Sequence, residues 1–150
     1  MRIAIAADHN GVSMKADVIR WLTEQGHDVD DRGAYDTEVV DYPPLCADVC
    51  GRVVTGAADR GIVIGGTGGG EAIACNKIRG IRAGLGHSVF LAEISSANNN
   101  SNVLILGTKV ITAADAVEIT ETWLTTPFKG GQHQRRLDMI AALERGDSLS

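Results

Sequence analysis

Residues 61–71 read Gly61-Ile62-Val63-Ile64-Gly65-Gly66-Thr67-Gly68-Gly69-Gly70-Glu71, a short apolar run that passes straight into a glycine-rich loop. The run has the length and character of a strand buried on both faces, and a helix opening follows from Glu71 to Lys77. So many glycines are costly in chain entropy, which implies a local backbone requirement. Successive amides at the start of a helix can hold an oxyanion or a phosphate. The alternative is a tight turn that lets the helix pack closely on a sheet. The loop is not a dinucleotide fingerprint, which sits after an early strand with a ribose-binding acid downstream. Nor is it a P-loop, because it ends in Gly70-Glu71-Ala72 and has no lysine.

Similar units flank this stretch. Arg2 to Ala7 reads as a central strand ending at Asp8-His9-Asn10-Gly11, and from Ser13 the residues Met14, Val18, Trp21 and Leu22 recur at helical spacing until Gln25-Gly26. Val29 marks a short second strand, followed by a polar turn around Gly33. Asp41-Tyr42-Pro43-Pro44 leads into a helix with Leu45, Val49 and Val53 along one stripe, the prolines falling in the first turn, where amides lack partners. Ile81 to Leu85 is a weaker fourth strand, with a helix from Ser88 to Ala97 after it. Val103 to Gly107 is a fifth strand, and Thr112 is an N-cap for a helix running from Ala113 to Leu124. A break at Pro127 to Gly131 precedes a last helix, His133 to Glu144. Strands alternating with helices predict an α/β fold: a three-layer α/β/α sandwich with a five-stranded parallel sheet, residues 1–150 forming one domain. The last helix either lies across a partner subunit or closes the same domain.

Composition narrows the function. Hydrophobic residues make up 44% and aromatics only 4%, so Ala, Ile, Val and Gly carry the packing. A net charge of -5 argues against a nucleic-acid surface while leaving room for a local phosphate site. No apolar run suits a membrane span. Three cysteines (Cys46, Cys50 and Cys75) without a secretory leader fit a reduced cytoplasmic protein. Cys46 and Cys50 share a helical face but lack a second zinc-type pair, so they read as small core residues, and neither a metal nor a cofactor is expected.

In parallel sheets, ligands collect beyond the carboxyl ends of the strands. Two segments suit that role, Asp8-His9-Asn10-Gly11 and the glycine loop. Glu71 is positioned either as an ordinary first-turn glutamate or as a base beside amides that could stabilise an enediolate. Asp8 and His9 are candidate sugar ligands. His27 and His87 are assigned no catalytic role. Among Lys109, His133, Arg135 and Arg136, one or two could receive a phosphate.

Taken together, IAIAADHNG, DYP, GIVIGGTGGGEAIACNK, GIRAGL, NNNSNVLILG and TTPFKGGQHQRRLD resemble the ribose-5-phosphate isomerase B family, over roughly residues 2 to 145. That family is grouped with the galactose-6-phosphate isomerase subunits. The resemblance implies a Rossmann-like sheet, a homodimer with active sites between subunits (tetramers being a further possibility), and metal-free aldose–ketose isomerisation through a cis-enediolate. Many members carry a cysteine base where this chain has Gly65. A subgroup uses a glutamate at the position of Glu71. The implied catalytic set is Glu71, Thr67 and Asn98. The implied substrate ligands are Asp8, His9, Tyr42, Gly66, Thr67, Gly68, Gly69, Gly70, Asn99, Lys109, Gln132 and Arg136. Asn98 stands where the family has a ring-opening histidine, Lys109 where an arginine is common, and Gln132 where the first of two phosphate-binding arginines falls.

The expected substrate is a small phosphorylated sugar, with ribose 5-phosphate to ribulose 5-phosphate as the leading reaction. Asn98 cannot relay a proton as histidine does, so tetrose or hexose phosphates remain alternatives. A phosphatase or kinase-like use of the loop, or a catalytically silent sugar-phosphate-binding subunit, are the competing classes.

Overall fold

The computed structural model describes all 150 residues. Five strands form one sheet: β1 (Arg2–Ala7), β2 (Asp28–Asp31), β3 (Arg60–Gly65), β4 (Ala83–Leu85) and β5 (Val103–Gly107). They pair in parallel in the order β2-β1-β3-β5-β4. The helices are α1 (Val12–Glu24), α2 (Tyr42–Val54), α3 (Gly69–Asn76), α4 (Val89–Ala97), α5 (Ala113–Thr125) and α6 (Gln132–Glu144). The expected Rossmann-like α/β sandwich is the observed architecture. None of its helices is long and apolar enough to cross a membrane.

The strands β1, β3 and β5 read as unbroken apolar runs because both their faces are covered. On one face Ile3, Ile5, Ile62, Ile64, Leu104 and Leu106 pack with Val18 and Leu22 of α1 and with Ile119 and Trp123 of α5. On the other, Ala4, Ala6, Val63 and Ile105 meet Cys46, Val49 and Cys50 of α2 and Cys75 of α3. The three cysteines are free, buried core residues. Each fully buried Ile or Leu contributes about 1.5–3 kcal/mol.

Element boundaries follow local hydrogen bonding. The fourth strand begins at Ala83, not at Ile81, because the Arg82 amide donates to the Asn102 side chain at 2.8 Å. Thr112 and Asp115 form a reciprocal capping box at the start of α5. Helix α6 buries only Leu137 and leaves Met139, Ile140 and Leu143 exposed, so it sits lightly on its own chain.

Polar groups tie α5 to the start of β5. Trp123 Nε1 donates to Ser101 Oγ at 2.8 Å, and Ser101 Oγ shares a 2.6 Å bond with Ser95 Oγ. Ser101→Ala strands the buried indole N–H and is expected to lower unfolding free energy by about 1–3 kcal/mol. Urea denaturation at constant m-value measures it; an unchanged midpoint would show that the indole has found another acceptor.

Candidate active site

The chain runs from β1 to one side of the sheet and crosses back to β3 on the other, so the crevice beyond their carboxyl ends is the switch point of the topology. The first loop is clamped there. The Asp8 amide donates to the Ile64 carbonyl at 3.1 Å. Gly11 is required by packing, since a methyl group on it would lie 2.8 Å from Ile64 Cγ2. The Asp8 carboxylate is buried and takes two bonds from Asn10, one from its amide at 2.9 Å and one from Nδ2 at 3.2 Å. Beside it, His9 Nδ1 accepts from the Val40 amide at 3.3 Å, which puts the ring proton on Nε2.

The glycine loop is anchored from the β5 side. Thr108 and Lys109 donate their amides to the carbonyls of Gly65 and Gly66 at 2.9 and 2.8 Å. The Lys109 and Asn10 side chains flank Gly66, at 3.5 and 3.6 Å from where its Cβ would stand. The amides of Gly66, Thr67, Gly68 and Gly70 have no acceptor within the chain. Gly69, expected among the cradle donors, instead gives its N–H to Thr67 Oγ1 at 3.2 Å. The Thr67 hydroxyl thus braces the loop from within. Gly68 has a φ of 83° and leaves no room for a Cβ, which would lie 2.7 Å from Ile105 Cγ2. Only glycine meets both demands.

Glu71 is the third residue of α3 and only 4% exposed. Its carboxylate lies over the Gly65 backbone, so that any side chain at position 65 would overlap it. Burial pushes its pKa above the ordinary glutamate value; its own amide opposes the shift, and the negative charge of Asp8 adds to it. The Tyr42 phenol stands against Gly70 in the same way. A carboxylate with a raised pKa, next to unpaired amides at a helix start, can take a proton from carbon while the adjacent oxygen gains charge.

One chain gathers Asp8, His9, Tyr42, Lys109, Glu71 and the loop from Gly66 to Gly70. It does not gather the rest of the expected set. Helix α4 leaves the carboxyl end of β4 and ends at the amino end of β5, so Asn98 and Asn99 lie at the opposite end of the strands from the glycine loop. The Asn98 amide oxygen is buried there without a partner. Gln132 and Arg136 are exposed on α6, which packs at that end through Leu137, near Ile81, Arg82 and Asn100. A groove of about 460 Å³ also runs under α6 beside Asn99, away from the glycine loop.

Two contacts escaped the sequence reading. Asn10 orients the Asp8 carboxylate, for which its place in a polar turn beside Asp8 was the only hint. His87, given no role, donates from Nε2 to the Thr67 carbonyl at 2.8 Å.

Residues 3–140 match the model of the Ribose/Galactose Isomerase family. The chain belongs to that family. Its members here include a ribose-5-phosphate isomerase B of Mycobacterium leprae, 40% identical over 97% of this chain and 91% of that protein. The Clostridium thermocellum ribose-5-phosphate isomerase B superposes with a TM-score of 0.96 at 40% identity, covering 97% and 99% of the two chains. A Mycoplasma genitalium ribose-5-phosphate isomerase B, solved with bound ribulose-5-phosphate, gives 0.92 at 35% identity and 96% coverage of each. Membership in the ribose/galactose isomerases makes the chain an aldose–ketose isomerase of sugar phosphates.

The overlap at position 65 has a direct consequence. Gly65→Ala displaces the Glu71 carboxylate, so kcat should fall by up to about a hundredfold where that carboxylate serves as a general base. A variant that keeps parental kcat would mean that the carboxylate need not lie there.

The raised pKa of Glu71 also sets a stability profile. Its folded pKa exceeds its unfolded value, so the protonated form's contribution is complete below the unfolded value and is lost as pH rises through the folded one. Glu71→Gln should therefore match the parent in Tm below about pH 4. Its advantage should grow through mildly acidic pH and then level off. A Tm difference that does not change with pH would contradict the direction of the shift.

Proposed function

We propose that this chain interconverts ribose 5-phosphate and ribulose 5-phosphate through a cis-enediolate, with Glu71 as the base. The observation that carries the reading is the buried Glu71 carboxylate over Gly65, beside loop amides that have no acceptor. The sugar is taken from the names of the relatives and from the ribulose-5-phosphate bound in the Mycoplasma protein.

In the open-chain aldose, Glu71 removes the proton on C2, and the C1 carbonyl oxygen takes up the negative charge. The free amides of Gly66, Thr67, Gly68 and Gly70 stabilise that oxyanion. A proton shifts between the two enediol oxygens, and Glu71 returns its proton to C1, leaving the ketone at C2. Asp8, held by Asn10, together with His9 and Tyr42, positions hydroxyls. Lys109, beside Gly66, supplies a cation at the rim of the same cradle.

A second copy of the chain completes the site. In this reading Asn98, Asn99, Gln132 and Arg136 come from the partner, and the exposed apolar residues of α6 pack on it. A guanidinium at position 136 is suited to the phosphate, with Gln132 adding a neutral donor. Asn98 can orient a hydroxyl but cannot exchange a proton near neutral pH, which favours sugars that arrive open-chain, such as a tetrose phosphate, as the second substrate class. Three buried free thiols suit a reducing cytoplasm, the location this reading assigns.

Glu71→Gln should lower kcat by roughly 10²–10⁴-fold and abolish exchange of the C2 hydrogen with solvent. Near-parental turnover of ribose 5-phosphate would sink the mechanism. The shared site is tested by mixing Glu71→Gln chains with Arg136→Ala chains. Random pairing places both defects in one site of each hybrid and leaves the other intact, so the mixture should recover about a quarter of parental turnover. A mixture no more active than its two components would mean that each chain holds a complete site.

A further inference from the structure

We propose that His87 is the positioning residue that aims the oxyanion cradle, by fixing the Thr67–Gly68 peptide so that the Gly68 N–H faces the reacting sugar. The inference rests on the isomerase reading above.

In a trans peptide the C=O and the following N–H point in opposite directions. The His87 Nε2–H donates to the Thr67 carbonyl at 2.8 Å and so holds that oxygen on the side of β4. The Gly68 N–H must then point the other way. It has no acceptor in the chain, and neither do its neighbours at Gly66, Thr67 and Gly70.

The Thr67 carbonyl also packs against Gly107, where a Cβ would lie 2.5 Å from its oxygen, but no other hydrogen bond holds this plane. Rotating the peptide requires compensating changes at the Thr67 ψ and the Gly68 φ, and glycine accepts either sign of φ. Gly68 holds a φ of 83°, and Ile105 leaves no space there for a side chain. That same absence of a side chain removes the steric barrier that would keep the peptide from turning. The internal bond from Gly69 to Thr67 Oγ1 restrains the next amide, not this one. The carbonyl bond from His87 is therefore the one directional contact that selects an orientation, with Gly107 as the surface behind it.

His87 is itself mounted on pinned backbone. The Gly86 amide before it donates to the Ile105 carbonyl at 2.7 Å, and a methyl group on Gly86 would press on Leu104 Cδ1 at 2.8 Å. After it, Ser88 caps α4 by accepting from the Leu91 amide at 3.1 Å. The donor role holds for the neutral Nε2–H tautomer and for the protonated ring alike, so the function asked of His87 is a fixed N–H, not a proton transfer. A glutamine can present a comparable N–H; an alanine cannot.

The test compares His87→Ala, His87→Gln and Glu71→Gln with the parent, using ribose 5-phosphate and a phosphorylated hydroxamate that mimics the planar enediolate. His87→Ala should lose about 10–100-fold in kcat, less than the roughly 10²–10³-fold cost of deleting an oxyanion donor because the Gly68 N–H is misaimed and not removed, while KM stays within about threefold. Its affinity for the hydroxamate should fall by the same factor as kcat. His87→Gln should recover most of both. Parental kcat in His87→Ala, or a glutamine variant as impaired as the alanine one, would overturn the proposal. Because a loss of fold would depress both variants, thermal midpoints within a few degrees of the parent are required before either is scored, and His87→Asn replaces a variant that misses that mark. The Glu71→Gln arm keeps the two readings apart: turnover there would remove Glu71 as base, while hydroxamate affinity would still report on His87.

Discussion

Four backbone amides that point at no protein acceptor are the constraint around which this end of the molecule is built. Amides left unpaired in a buried setting are unfavourable, so they demand either solvent or an anion. The sheet brings them to the carboxyl end of β3, where solvent and ligand can both reach. Around them the chain adds one buried carboxylate, Glu71, and a second, Asp8, that raises the proton affinity of the first. These donors and the two carboxylates share one crevice without pairing in the resting protein. A substrate whose oxygen turns negative as its carbon loses a proton reconciles them.

The same architecture explains why one chain holds only part of the expected site. A helix that follows a parallel strand returns the chain to the amino ends of the strands. Residues after α4 therefore finish far from residues that end strands. Asp8, the glycine loop and Lys109 end strands or follow them directly, whereas Asn98 and Asn99 follow a helix. Gln132 and Arg136 stand on α6, the helix least committed to its own chain.

Much of this was legible in the sequence, for identifiable reasons. Apolar runs at Ile62–Ile64 and Val103–Leu106 mark strands buried on both faces, and the glycine density advertised a backbone site at the end of one of them. Glu71 could be proposed as a base because it falls in the first turn after those glycines. The roles of Asn98, Asn99 and Gln132 came from family resemblance alone, and resemblance singled out Arg136 from the late basic residues, since nothing in their spacing points to the loop. His87 escaped because its partner is a main-chain carbonyl twenty positions away, and no side-chain pattern encodes a carbonyl. Gly69 was counted with the cradle because sequence cannot say which amides a neighbouring hydroxyl will consume.

The overlap between Gly65 and the Glu71 carboxylate also bears on how such a site can change over generations. Two positions share one volume, so each residue sets what the other can be. A cysteine arriving at 65 while Glu71 remains meets a space already filled. A glutamate lost from 71 while Gly65 remains leaves that volume empty. Exchange of one arrangement for the other therefore crosses an intermediate that is overfilled or underfilled, unless the loop first loosens enough to hold both groups. Steric exclusion thus couples the two positions, so that a change at either is felt at the other.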